Sequence, residues 1–570
     1  MIIVDAGRIT AFKREGWWGD VTLVDKLDAH ARDFPEQEAL VDPSNLEEVA
    51  GIAPLRLTWR EVQEGVERRA ALLHKYGFAK DDVIVIQLPN GVDLTLVLLA
   101  CFRLGVIASP APAQYRVNEL AGIVRRTDAS GAIMSARIGR HDHAALLREV
   151  AGQSPTLRSS FLVGPAVPGF PDFAAELAAI TPADIDAMRE EIHRNAPTAD
   201  DIATICWTSG TEAEPKGVPR SHNEWIVMGQ GCMACAKLEP GERILNPFPM
   251  VNMAGISTGL CTWLEYGGTL VQHHPFDLPI FLAQIRDERI NYTVAPPALL
   301  TSLLSNEAML KDIDFSLLQR MGSGSAPLSD WMVRTFYERH GVEIINIFGS
   351  NEGASFAACL EDVPDPRDRA VHFPRFGDHG FTWSYALGDR TLTRLVDPET
   401  EGEIVTPGTP GELRVKGPGI FAGYWRAPEM TARAFDEEGW FRTGDLFAIA
   451  GDSNQFYRFV GRLKDIIIRG GMNISAEEIE RYLIEHPAVR DVAVVGFADA
   501  TLGERLLACI VPADEAPTMD ELNRFLIEER NVALFKQIER LELVENLPRN
   551  PLGKLLKREL RALYSGTVEA

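Results

Sequence analysis

Cysteine is sparse in this chain: seven residues among 570, at positions 101, 206, 232, 235, 261, 359 and 509. An odd number spread over so long a sequence fits reduced thiols and excludes a disulfide framework. Cys232 and Cys235 form one C-x-x-C, but no second pair or nearby histidine completes a zinc-ligand set, so helix packing is expected for both. His141 and His143 in a polar HDH stretch, and His273 and His274 at the end of an expected strand, read as surface or capping residues. Long apolar runs are missing too. The most apolar stretch, LTLVLLACF, stops at Arg103 and is far too short to cross a bilayer. The opening MIIVDAGRITAFKREGWW lacks the charged start, apolar run and small-residue site of a secretory signal. A cytoplasmic protein without stable membrane insertion is expected. There is no internal repeat and no low-complexity segment.

Positive charge is the other shortage. Fifty-seven Lys and Arg stand against 81 Asp and Glu, a net charge of -24, which argues against coating nucleic acid or an anionic membrane. It leaves room for anionic small molecules, which need only a local basic site. With 46% hydrophobic residues the chain is an ordinary globular one, long enough for several structural units.

What is present is a βαβ rhythm. TWREVQEGVERRAALLHKYGF reads as an amphipathic helix, with Thr58 and Glu61 spaced as a capping box. DDVIVIQLPNG reads as a buried strand and turn, followed by a helical LTLVLLACFRLG. Further on, DIATICW, ERILNPF, INYTVAPP, LLQRMGS and VEIINIF each end in a loop rich in Gly, Ser, Pro or Asn. Open α/β sheets bind ligands outside the carboxyl ends of their strands, so these loops are where a site is sought. From about residue 385 shorter strands suggest an antiparallel, β-rich subdomain. Beyond Arg462 a smaller α+β pattern begins. The expected fold is therefore α/β: a large multi-subdomain N-terminal domain, 1–461, and a small mobile α+β C-terminal domain, 462–570.

One loop carries chemistry. Residues 208–217, TSGTEAEPKG, follow an expected strand. Small and hydroxyl residues there let backbone N–H groups approach a polyphosphate, and Lys216 can neutralise its outer phosphates. This is not the G-x-x-x-x-G-K-[ST] loop, because Gly217 follows Lys216. The ten-residue order resembles the core motif of the adenylate-forming superfamily of acyl- and aryl-CoA ligases, luciferases and peptide-synthetase adenylation domains. Four further segments agree in the same order: IFGSNEG at 347–353, GWFRTGDL at 439–446, FVGRLKDIIIRGGMNI at 459–474 and LPRNPLGKLLKREL at 547–560. GELRVKGPGIFAGYW resembles a structural strand segment of that family.

The resemblance implies two half-reactions: a carboxylate attacks the α-phosphorus of ATP to give acyl-AMP and pyrophosphate, then a thiol, usually coenzyme A, displaces AMP. It implies that Thr208, Ser209, Gly210, Thr211 and Lys216 bind phosphates, and that Glu352 holds Mg2+. Asn351 stands where a Thr donating to the α-phosphate is usual. Phe348 would stack on adenine, with core packing as its alternative, and Asn346 would meet the exocyclic amine. Ser325 is carried over to the nucleotide, and Asp445 and Arg462 to the ribose. Lys464 falls at the hinge. Lys554 would reach the carboxylate and α-phosphate; rotation about Lys464 would withdraw it and bring the 470–474 loop, with Gly471, to the pantetheine channel. A helix starting at GASFAACL would make Glu352 an N-terminal helix glutamate instead. Two departures stand out: Glu212 adds charge to the phosphate loop, and Asn252 replaces a usual His or aromatic beside the acyl pocket. Asn252, Gly255, Gly322 and Ser323 are expected to line that pocket, the small ones leaving room for a compact acid. The motif wording looks most like bacterial ligases for alicyclic acids such as cyclohexanecarboxylate. Transfer to a carrier protein, or a silent nucleotide or acyl-CoA sensor, are the competing functions.

Overall fold

The computed structural model describes residues 1–208, 215–325, 328–377, 380–470, 472–499, 501–530, 532–550 and 554–564. Two largely parallel sheets dominate. One runs, in spatial order, Lys216–Ser221, Ile202–Thr208, Ile107–Pro110, Val83–Gln87, Gly131–Ser135 and Ser159–Val163, parallel except for its first pair. The other runs Ser355–Ala358, Glu343–Gly349, Arg320–Gly324, Tyr292–Val294, Arg243–Asn246, Thr269–Gln272, Glu38–Val41 and Arg56–Thr58, with only its two edge strands antiparallel. The strand runs VIVIQ and IATICW are apolar throughout because both faces of a parallel sheet are covered.

Helices cover those faces. Trp59–Lys75 starts at the expected capping box, in which Thr58 accepts from the Glu61 N–H and the Glu61 carboxylate accepts from the Thr58 N–H. Val92–Leu104 is buried on nearly all sides, as a helix apolar all round must be; its two charged residues, Asp93 and Arg103, pair with Arg69 and Asp28. His222–Ala236 is likewise enclosed, and Trp59 stacks on Trp263 at 4.5 Å to join neighbouring layers.

A third, antiparallel sheet follows in the order His372–Pro374, Phe456–Arg462, Phe441–Ala450, Pro410–Lys416 and Leu392–Val396. Phe348 of the second sheet packs edge-on against Phe447 of the third at 5.3 Å, so aromatic contacts close that junction. From Ile467 onward the chain builds its own cores around the paired strands Val489–Asp499 and Gly503–Pro512. Among the described residues no helix is long and apolar enough to cross a membrane.

Two histidine expectations are corrected. His143 opens the helix His143–Gly152 with its ring turned inward and is buried; burial pushes it down to about 4. His273 and His274 are buried too; His273 Nδ1 lies 2.7 Å from Gln284 Oε1, and its Nε2 accepts from the Asp277 N–H at 3.0 Å at the start of the helix Leu278–Asp287, which keeps the capping alternative for His273. A polar sequence neighbourhood does not reveal which way one side chain points.

Candidate active site

The candidate residues stand at or near strand ends of the three sheets. Ile202–Thr208 is one such strand, and the chain returns as Lys216–Ser221 with Lys216 opposite Thr208. Ser209, Gly210, Thr211 and Glu212, between them, lie outside the described residues, as does Gly471. Arg320–Gly324 and Glu343–Gly349 run side by side in parallel with Ser323 beside Asn346, so their ends bring Ser325 and Phe348 to the same edge. The chain then reverses directly into Ser355–Ala358. Glu352 therefore sits in a tight turn between antiparallel strands, and the helix expected from GASFAACL does not form. Gly353 makes the turn possible: its φ is 103°, and a Cβ would stand 1.8 Å from the Gly419 carbonyl oxygen.

The third sheet contributes a pair. Asp445 and Arg462 face each other across adjacent antiparallel strands, Arg462 Nε 3.6 Å from Asp445 Oδ1. Gly444, at φ 71°, supplies the left-handed residue that turns Asp445 into the cleft, and its N–H donates to Glu412.

Lys554 enters from the small C-terminal unit. A short loop holds it: its N–H donates to Asn550 Oδ1, and its carbonyl accepts from the Asn550 N–H, both at 2.8 Å. Lys554 is reachable by solvent yet walled by protein. Desolvation, then the Arg462 and Lys464 cations, push its amine down to about 8, against the pull of Asp445 and Glu352. Asp445 moves the other way: burial raises it to about 6, opposed by Arg462, Lys554 and Lys464. Lys464, in the turn Leu463–Asp465, is lowered by its surroundings and by Arg462, with Lys216 a further repulsive neighbour. Lys216, Arg462, Lys464, Lys554, Asp445 and Glu352 are thus one electrostatic unit drawn from three parts of the chain.

Other positions are defined by their hydrogen bonds. Asn351 uses its Oδ1 to accept from the Met253 N–H at 2.7 Å, which orients its amide nitrogen elsewhere. Asn346 is buried and donates through Nδ2 to the carbonyls of Arg369 and Ala370, leaving to its oxygen any contact with a base amine. Phe348 is half-buried and also touches Phe356 and Phe459, so the aromatic junction takes part of its surface. Ser325 is exposed with φ 71°, an uncommon conformation for serine at a strand end. Asn252 caps the turn Met253–Gly255, accepting from the Gly255 N–H at 3.2 Å. Ser323 is buried and donates to the Ala295 carbonyl.

The expectation of open space at Gly255 and Gly322 is corrected. A Cβ on Gly255 would lie 2.0 Å from the Pro249 carbonyl oxygen, and one on Gly322 2.5 Å from the Tyr292 hydroxyl and 2.8 Å from Ile347. Protein already fills both places. These residues are small because the chain itself packs there.

Three residues escaped the sequence reading. Arg220 is fully buried beneath the Glu352 turn, donating to the Asn351 and Glu224 carbonyls. Tyr424 donates its hydroxyl to Glu352 Oε1 at 2.9 Å while the Lys216 ammonium lies 5.3 Å from its ring centre. Lys557 is buried against Glu480 at 2.9 Å and Glu477 at 3.3 Å, and anchors the helix that follows Lys554. An arginine inside the otherwise buried strand KGVPRS was a usable signal; the other two carried none beyond their motifs.

A cleft at the carboxyl edge of parallel strands, lined by cations from separate units, is a nucleotide-binding arrangement. Residues 27–425 match the AMP-binding enzyme family and residues 478–554 match the AMP-binding enzyme C-terminal domain. The chain belongs to this family of adenylate-forming enzymes. It is 32% identical to 2-hydroxy-7-methoxy-5-methyl-1-naphthoate–CoA ligase of Streptomyces carzinostaticus, over 98% of this chain and 95% of that protein. It is 31% identical to pyochelin synthase PchD of Pseudomonas aeruginosa (strain UCBPP-PA14), over 97% and 94%. Its fold is that of ATP-bound MatB from Rhodopseudomonas palustris, with a TM-score of 0.77 and 24% identity over 96% of this chain and 99% of that one.

Two measurements follow from this geometry. Gly322→Ala overpacks the Tyr292 contact and lowers unfolding stability by about 1–3 kcal/mol while leaving the order of preferred acids unchanged; altered selectivity at full stability would restore the open-pocket view. For pH, Asp445 carries charge above about 6 and Lys554 below about 8, so both are charged only between those values. The kcat/KM for acid-dependent pyrophosphate exchange should be bell-shaped with limbs near them, and Lys554→Arg should carry the alkaline limb out of range.

Proposed function

We propose that the protein is an AMP-forming acyl-CoA ligase for a small hydrophobic carboxylic acid, with cyclohexanecarboxylate and related alicyclic acids as first candidates. The observation that carries this reading is the joining of Lys216 to Glu352 through Tyr424, beside the Asp445–Arg462 pair, with Arg462, Asp445 and Glu352 all acting on the Lys554 amine. In the first half-reaction a carboxylate oxygen bonds to the α-phosphorus of ATP and pyrophosphate leaves. Both partners are anionic, so the barrier falls mainly through positioning and charge neutralisation. Lys554 holds the carboxylate against the α-phosphate, and Lys216 neutralises the outer phosphates together with the 208–211 loop. Asp445 and Arg462 orient the ribose, Phe348 and Asn346 the adenine, with Ser325 at the nucleotide's edge and the Asn351 amide at the α-phosphate. In the second half-reaction the thiol of coenzyme A bonds to the acyl carbon, AMP leaves and the thiol proton is released.

A magnesium ion fits the donor set. Glu352 presents one carboxylate, already oriented by Tyr424, and magnesium is commonly held by one or two carboxylates plus substrate phosphates. When bound, it would neutralise phosphate charge. Among the described residues there is no cluster of three acidic, His or Cys side chains that would make an all-protein metal cage.

In this reading residues 462–570 are a lid that turns about Lys464, withdrawing Lys554 and bringing Gly471 and the strand Met472–Ser475, paired with Ile466–Arg469, toward the thiol. The hydrocarbon body of the acid is supported by the apolar Met253 and Ile256, both buried beside Asn252. Because one relative is named for a naphthoate, aryl acids belong among the trial substrates.

The direct test is AMP release with aliphatic, alicyclic and aromatic acids, with product masses, using coenzyme A or candidate carrier proteins as acceptor. An acyl-CoA product is expected. Carrier-only products would move the assignment to carrier loading, and no pyrophosphate exchange with any acid would favour a sensor. Lys554→Ala should abolish acyl-AMP formation while largely sparing thioester formation from supplied acyl-AMP; equal loss of both steps would count against lid rotation.

A further inference from the structure

Residues 421–425, at the end of the GYW segment, form a backbone clamp between the two sides of the cleft. The Phe421 N–H donates to the Glu352 carbonyl at 2.9 Å, and the Trp425 N–H to the Gly217 carbonyl at 2.9 Å. Five residues thus tie the Glu352 turn to the strand that starts with Lys216. Tyr424 stands between these two ties. Its N–H donates to Thr431 Oγ1 at 2.9 Å, and its side chain contacts Lys216 with the ring face and Glu352 with the hydroxyl.

The clamp is itself backed. Arg8, from the helix Ala6–Arg14, donates to the carbonyls of Gly417, Ile420 and Phe421, and Trp18 Nε1 donates to the Pro418 carbonyl at 3.1 Å. The loop 417–421 has little freedom to shift, and Gly419 closes on Gly353 so tightly that no side chain fits between them.

We propose that Tyr424 is a positioning residue that sets the distance and orientation of the Glu352 carboxylate relative to the Lys216 ammonium, and so couples metal binding to phosphate binding. A carboxylate and an ammonium on neighbouring loops attract one another, and their direct collapse would neutralise the two charges that phosphate and metal need. The phenol prevents this without adding charge. Its electron-rich face takes the cation, and its hydroxyl orients Glu352 through Oε1, fixing the plane in which the carboxylate meets a metal. Phenylalanine would preserve the first contact and lose the second; leucine would lose both.

The proposal rests on the adenylating function, and its test uses binding instead of turnover. The dissociation constant of α,β-methylene-ATP is measured by calorimetry on the full chain, with magnesium and with EDTA. Tyr424→Phe should weaken the magnesium complex about tenfold, the size of a hydrogen bond to a charged acceptor, and change binding in EDTA less than twofold. Tyr424→Leu should weaken binding in both conditions, by about threefold more than phenylalanine does. In a Glu352→Gln background, Tyr424→Phe should add nothing to the magnesium response. Equal losses with and without magnesium, or a fall in melting temperature that accompanies them, would show a merely structural tyrosine and overturn the proposal. So would a Tyr424→Phe protein that binds the magnesium complex as the unaltered chain does. Absence of nucleotide binding by the unaltered protein would overturn the adenylating function along with it.

Discussion

Like charges crowd the cleft, and much of the surrounding structure serves to hold them there. Arg462 lowers the proton affinity of both Lys464 and Lys554, Lys464 adds to the effect at Lys554 and Lys216 to that at Lys464, while Asp445 supplies counter-charge at both and Glu352 at Lys554. Asp445 and Lys554 have the same consequence for stability. An aspartate raised to about 6 favours the native state when protonated, and that contribution fades as pH rises through 6. A lysine lowered to about 8 favours it when neutral, and that contribution fades as pH falls through 8. Between those values both groups are charged and both oppose folding. The rest of the molecule must supply the difference, and an anionic ligand entering the cleft relieves it.

This explains where the buried polar machinery lies. Arg220 beneath the Glu352 turn, Arg369 holding the carbonyls of Ile344, Val363 and Pro364, and Arg414 between Glu412 and Asp436 are all buried. Each ties together backbone or carboxylates next to a strand that enters the cleft. Buried arginines used this way turn loops that would otherwise drift into rigid supports, as precise placement of opposed charges requires.

The parts legible in sequence were those with local causes. The capping box at Thr58 and Glu61, the apolar runs of the parallel strands and the left-handed Gly444 before Asp445 follow from rules acting over a few residues. The motifs likewise located Lys216, Glu352, Asp445, Arg462 and Lys554, though nothing local placed them in a common cleft. What stayed hidden depended on distant partners. GASFAACL has a helix-compatible composition, but pairing of Ser355–Ala358 with Glu343–Gly349 made it a strand, because tertiary pairing outweighs weak local preference. Gly255 and Gly322 suggested empty volume, whereas the Pro249 carbonyl and the Tyr292 hydroxyl, remote from one another in sequence, occupy it. A glycine records that a side chain does not fit; it does not record what stands in its place.

The same distinction bears on the acidic balance of the chain. A net charge of -24 opposes the approach of any polyanion at long range, yet over a screening length of about 8 Å only the local constellation is felt. Inside that radius Lys216, Arg462, Lys464 and Lys554 offer an anion four cations, balanced by Asp445, Glu352, Asp465 and Glu477. The excess acid elsewhere acts on larger partners. It disfavours extended polyphosphates such as nucleic acid, which would lie across the negative surface, while a single nucleotide can place its phosphates wholly among those cations. Selectivity for a compact anion over a polymeric one is thus written in the contrast between surface and site, and neither one alone would produce it.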